Sequence, residues 1–190
     1  MHKLWISLAL LLANSPALHA DEMKKALQSY LDEHITAWVH DPILVMAIRA
    51  QNAETAGYDQ AKIDELDQLW RGFVGVNDAE IIANVIANPA ADFLRRQVTQ
   101  SNGAITEAFV MDARGLNVAA SVPTSDYWQG DEAKFLQTYP VGNAAVHISD
   151  VELDRSTQEV QGQVSMTIVD QTTGDAVGAI TVGINLTELM

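Results

Sequence analysis

The sequence predicts an α+β fold in which long N-terminal helices precede a five-stranded antiparallel sheet. Two observations carry this. Apolar residues recur at three- and four-residue steps over 21–100, then at every second residue beyond Asn102-Gly103. The expected strands are joined mainly by short turn-rich links of hairpin type, which makes neighbours antiparallel. No repeat, low-complexity tract or linker divides the chain. It reads as a leader over 1–20, a helical part over 21–104 and a sheet part over 105–190 of one domain.

The leader has its own logic. His2 and Lys3 open it, residues 4–13 are almost wholly apolar, and Ala17-Leu18-His19-Ala20 precedes the charged Asp21-Glu22. This is the layout of a secretory signal peptide with cleavage after Ala20, and the apolar run is too short to span a bilayer. The expected location is the periplasm, without direct membrane insertion.

The first helical pattern covers 21–52, with Leu27, Leu31, Ile35 and Trp38 at helical steps. Asp41-Pro42 interrupts it, because proline disfavours helical geometry in the residue before it, and Asp41 is placed to cap a restarted helix. Leu31, Ile35 and Trp38 are expected to face the sheet. A second stripe through Tyr30, His34 and Val39 is open either to a partner, including a second copy in a homodimer, or to the following helices. Further helices are expected over 59–70, with Ile63, Leu66 and Leu69 on one face, over 77–87 with Asn77 as cap, and over 90–100. Strands are expected over 105–111, 116–121, 145–153, 159–169 and 176–185. A long connection occupies 122–144.

Composition narrows the function. Of 190 residues 48% are hydrophobic and 19% charged, ordinary for a folded domain. Twenty-five acidic against 11 basic residues give a formal charge of −14, which repels phosphate backbones and speaks against nucleic acid. Small cations, amines and basic proteins remain compatible. The absence of cysteine excludes disulfides and thiol catalysis. No G-x-S-x-G, H-E-x-x-H, phosphate-cradling glycine loop or EF-hand spacing occurs, so no enzyme, cofactor or metal site is expected. Asp150, Glu152 and Asp154 alternate on one strand, which reads as a solvated acidic face before it reads as a Ca²⁺ site. His147 reads as structural, and Asp170 as a turn cap.

Four stretches resemble the Cache family of PAS-like extracytoplasmic sensor domains. Phe109-Val110-Met111-Asp112-Ala113-Arg114-Gly115-Leu116, continuing to Ser121, is similar to the family's first hairpin. Ser125-Asp126-Tyr127-Trp128-Gln129-Gly130-Asp131-Glu132 is similar to the loop after it. Residues 164–170 resemble the penultimate strand, and Thr173-Gly174-Asp175-Ala176-Val177-Gly178 opens a stretch to Leu186 that resembles the last. Ile86-Ala87-Asn88-Pro89 resembles the end of the helical portion. The resemblance implies a sensor rather than an enzyme: a periplasmic protein that binds a small molecule (an amino acid, amine or carboxylate) and signals to a membrane receptor, sensor kinase or cyclase. The alternative is a module without ligand that docks on a receptor domain. The sequence carries neither the preceding nor the following transmembrane helix of the family's receptors, so a stand-alone form is expected.

A pocket in such a fold lies between the sheet and the long connection. Gln161, Gln163, Ser165 and Thr167 share one face of their strand, and Thr181 lies between the small Ala179 and Gly183. Ser165, Thr167 and Thr181 are therefore candidate ligand contacts, the competing reading being the wet face of a sheet. Asp126, Tyr127, Trp128 and Asp131 are the loop's candidates. Aromatics can wall a cavity while carboxylates orient a donor, or the same side chains can pin the loop to the core.

Overall fold

A computed structural model describes residues 16–76, 79–153 and 160–189. Six helices are described: α1 (Pro16–Tyr30), α2 (Pro42–Thr55), α3 (Gln60–Phe73), α4 (Glu80–Ile86), α5 (Pro89–Gln100) and the short α6 (Ala133–Leu136). The strands are β1 (Ile105–Met111), β2 (Asn117–Ala120), β3 (Val146–Ile148), β4 (Glu152–Leu153), β5 (Val160–Val169) and β6 (Ala176–Asn185).

Local chemistry sets the helix starts. The Asp41 carboxyl accepts from Ile43 N–H with Pro42 in the first turn, Asp59 accepts from Lys62 N–H, and Asn88 accepts from Ala91 N–H ahead of Pro89. Among the described residues no side chain caps α4. It starts at Glu80 after Ala79, and the expected cap Asn77 lies outside the described residues.

α1 runs through Ala20 without a break and passes into a π-helical turn, Leu31–Ile35, closed by Thr36 N–H to Leu31 O at 3.0 Å. Buried Leu27, Leu31, Ile35 and Val39 recur at steps of four. Four residues overshoot a 3.6-residue turn, and the wider π turn absorbs the excess, which keeps all four on the core side. Val39 is fully buried, which corrects its assignment to an outward stripe: the outward surface there is left to half-buried Tyr30 and exposed His34, whose rings lie 4.7 Å apart. The leader's residues 1–15 lie outside the described residues.

The strands form one antiparallel sheet in the order β2-β1-β6-β5-β3, with β4 also on β5. The fold class is α+β as expected. The third expected strand is two short pieces, β3 and β4, on the same neighbour. One face carries Ala108, Val110, Val164, Ile180, Val182 and Ile184 against Leu27, Leu31, Ile35, Leu44 and Ile48. The other carries Phe109, Met111, Ala120 and Ala179 against Trp70, Ile82, Val85 and Phe135. α1, α2 and α5 thus cover one face, while α3, α4 and the 122–144 connection cover part of the other.

Candidate functional site

The second face is where the expected hydroxyls lie. Ser165 pairs with Thr181 and Thr167 with Ala179 across β5–β6, so alternation places all three on the side of Phe109 and Met111. All three are buried. Ser165 Oγ and Thr181 Oγ1 are 2.9 Å apart, and Thr167 Oγ1 has no hydrogen-bond partner. A buried unpaired hydroxyl is uncommon in a settled core.

The connection's candidates hold the loop as much as they line anything. Asp67 of α3, itself buried, accepts from Tyr127 N–H at 2.9 Å and Trp128 N–H at 3.0 Å, and pairs with Arg71 at 2.8 Å. The Tyr127 ring stacks on Trp70 at 5.5 Å, and burial drives its phenol pKa far upward, which keeps it neutral. Asp126 accepts from Gln129 Nε2 at 2.6 Å and from Ser125. Trp128 Nε1 donates to Arg114 O at 2.8 Å, and Asp131 is exposed. The two resemblance motifs meet here. Gly115, at φ +80°, lies so near Gly130 that a Cβ would sit 2.5 Å from the Gly130 Cα.

Next to the hydroxyl row, on the same face, lies a cavity of about 870 Å³. Glu107, Gly183 and Gln163 form its floor, since Glu107 pairs with Gly183 and Gly183 with Gln163. Glu107 Oε1 accepts from Gln163 Nε2 at 3.1 Å. Ala133 and Gln137 line it from the connection, and His147 Nδ1 lies 3.0 Å from Gln137 Oε1. Burial, then the Lys24 charge, lowers the His147 pKa and favours the neutral ring. Lys24 reaches in from α1 and pairs with Asp150 at 2.8 Å. That hydrogen bond raises the lysine pKa and lowers the aspartate's. The site therefore offers an ammonium, carboxylates and amides around open floor space, which suits a small zwitterion.

Ser165, Thr167 and Thr181 share the cavity's sheet face without lining it, and Glu107, Lys24 and Gln137, which do line it, were not among the candidates. Glu107 had a signal, being the one charged side chain in an otherwise mostly apolar strand. Tyr127 lines a different cavity, between α2 and α3–α4. Among the described residues no cluster of His, Asp and Glu fits a metal ion, and no helix is long and apolar enough to cross a membrane.

No family model and no curated protein matches the chain. Solved structures do. The ligand-binding domain of the Pseudomonas aeruginosa amino acid chemoreceptor PctC in complex with GABA is 14% identical over 91% of this chain and 61% of its own, with a TM-score of 0.43. The ligand-binding domain of the Campylobacter jejuni chemoreceptor Tlp3 in complex with 4-methylisoleucine is 10% identical over 93% and 65%, at 0.39. The V. cholerae histidine kinase DctB sensor domain is 15% identical over 89% and 58%, also at 0.39. The chain spans 58 to 65% of the length of these three. Two are ligand-binding domains of chemoreceptors and the third is the sensor domain of a histidine kinase.

Proposed function

We propose that this chain is an exported sensor or accessory protein that binds a small zwitterion or amine on the second sheet face and reports it to a membrane-bound receptor, kinase or cyclase. The observation that carries the reading is the 870 Å³ cavity with groups of both signs beside the Ser165, Thr167 and Thr181 row. Glu107 would take an ammonium and Lys24 a carboxylate. Because Lys24 belongs to α1, a ligand that draws it from Asp150 interacts differently with two positions of that helix, the condition for shifting a population. Asp126, Tyr127 and Trp128 act in this reading by holding the connection over the sheet, whereas Asp131 stays exposed on its surface.

A thermal-shift screen of amino acids, amines and small carboxylates tests it. A ligand at 100 times its Kd should stabilise the protein by about 2.7 kcal/mol, and Glu107→Gln should remove that shift while leaving the unliganded melt in place. A screen without any hit would favour the second reading, a docking module without a ligand. A hit that is indifferent to both Glu107→Gln and Lys24→Met would move the site elsewhere.

A further inference from the structure

We infer that the cavity between α2 and the α3–α4 pair is a separate binding site for an organic cation, an amine carrying an apolar body. This cavity has a volume of about 980 Å³ and shares no lining residue with the polar one. Its size lies at the upper end of the roughly 300–1,000 Å³ of small-molecule sites.

The walls come from two helix stripes that face each other without closing. Ile43, Met46 and Ala47 recur on α2, and Leu66, Leu69 and Phe73 on α3. The buried stripe of α3 is a different one, Ile63, Asp67 and Trp70, so α3 spends that side on the core and offers the next to the cavity. Met46 is 64% exposed, Leu69 44% and Phe73 38%, apolar surface gathered on one concave patch of an otherwise acidic protein.

The charges in the lining decide the ligand. Glu54 and Glu80 line the cavity, and among the described residues no lysine, arginine or histidine does. Glu54 accepts from Tyr58 OH at 3.3 Å and is otherwise turned to solvent. Tyr58, Phe73 and Tyr127 add aromatic faces, which attract a cation. A carboxylate ligand would meet two like charges and no cationic partner, and a neutral apolar one would leave both glutamates unused. An ammonium with an apolar tail satisfies walls and charges together, favoured further by the formal charge of −14.

Calorimetry on the intact protein tests this with 4-phenylbutylamine, 4-phenylbutanol and 4-phenylbutyrate, which share one apolar body, and with the butyl- to decylamine series. The amines should bind, and binding should weaken as salt rises. The alcohol should bind at least tenfold more weakly and the acid not at all. The double variant E54Q/E80Q should cost the amine tenfold or more, as for a lost charge-assisted contact. Ala50→Trp, at an exposed lining position, should block the site. Glu107→Gln should leave amine binding here unchanged, so the outcome is independent of the polar cavity. The inference is overturned if no amine binds, if alcohol and amine bind alike, or if E54Q/E80Q binds as the wild type does. Should Ala50→Trp unfold, the glutamate variants decide alone.

Discussion

At the scale of single residues, a buried carboxylate ties the sheet to α2. Asp112 is fully buried at the β1–β2 turn. Its Oδ1 accepts from Arg114 N–H and Leu116 N–H, and its Oδ2 from Thr55 Oγ1 and Gln51 Nε2. One carboxyl thereby fixes the turn and fastens α2 to it. Asp112→Ala strands the two backbone donors, while Thr55 Oγ1 keeps Gln51 O and Gln51 Nε2 keeps the Leu116 and Asn117 carbonyls, and should destabilise the fold by about 3 kcal/mol or more in urea titration. A loss under 1 kcal/mol would mean that water replaces the carboxyl. His40 makes a different kind of contact: its Nδ1 accepts from Val169 N–H at 3.2 Å, and burial lowers its pKa. The neutral ring is therefore favoured in the folded state. Between the lowered pKa and the unfolded value near 6.5 the unfolded chain binds more protons, so stability falls as pH drops through that window and is unaffected above it. The melting temperature of wild type should drop between pH 7 and 5 by more than that of His40→Gln. Parallel curves would remove His40 from the acid response.

At the scale of elements, much was legible because it is written in local patterns. The caps at Asp41, Asp59 and Asn88, the Asp112–Gly115 turn, and the bounds of β1, β5 and β6 depend on neighbours in sequence. Asp170 does cap its turn, accepting from Thr172 N–H at 2.8 Å. What escaped depends on partners far away. Ile63, Leu66 and Leu69 share one face by their spacing, yet the core side of α3 carries Asp67, whose burial makes sense only when the Tyr127 and Trp128 N–H groups arrive. Likewise Ile82 and Val85 of α4 are buried while Ile81 and Ile86 are half-exposed, because α4 covers only an edge. The docking of α1 on the sheet is equally nonlocal. Leu27 lies over Gly162 of β5, where an added Cβ would come within 2.6 Å of the leucine side chain. Gly162→Val should cost about 1–3 kcal/mol by overpacking, and Leu27→Ala should recover part of it in the double variant. Strict additivity of the two changes would show that they do not touch.

At the scale of the whole molecule, the proposed route of export is open to a direct test. Cleavage after Ala20 predicts a mature N-terminus at Asp21 and recovery of the protein by osmotic shock; a chain retaining Met1 in the cell fraction would end that reading. Both outcomes bear on α1, which the structure carries through Ala20 to Pro16 and which cleavage would shorten by five residues.

β6 is read from both sides at once. Its even-numbered residues Ile180, Val182 and Ile184 sit in the core beneath the first helices, while on the opposite side Ala179 packs in the second apolar cluster, Thr181 is buried beside it and Gly183 lines the proposed ligand cavity. A strand is one rigid rail, and close packing leaves neither set free to move without the other. Whatever pushes on one side is therefore geared to the other through the thickness of a single chain, with no relay of intermediate side chains between them.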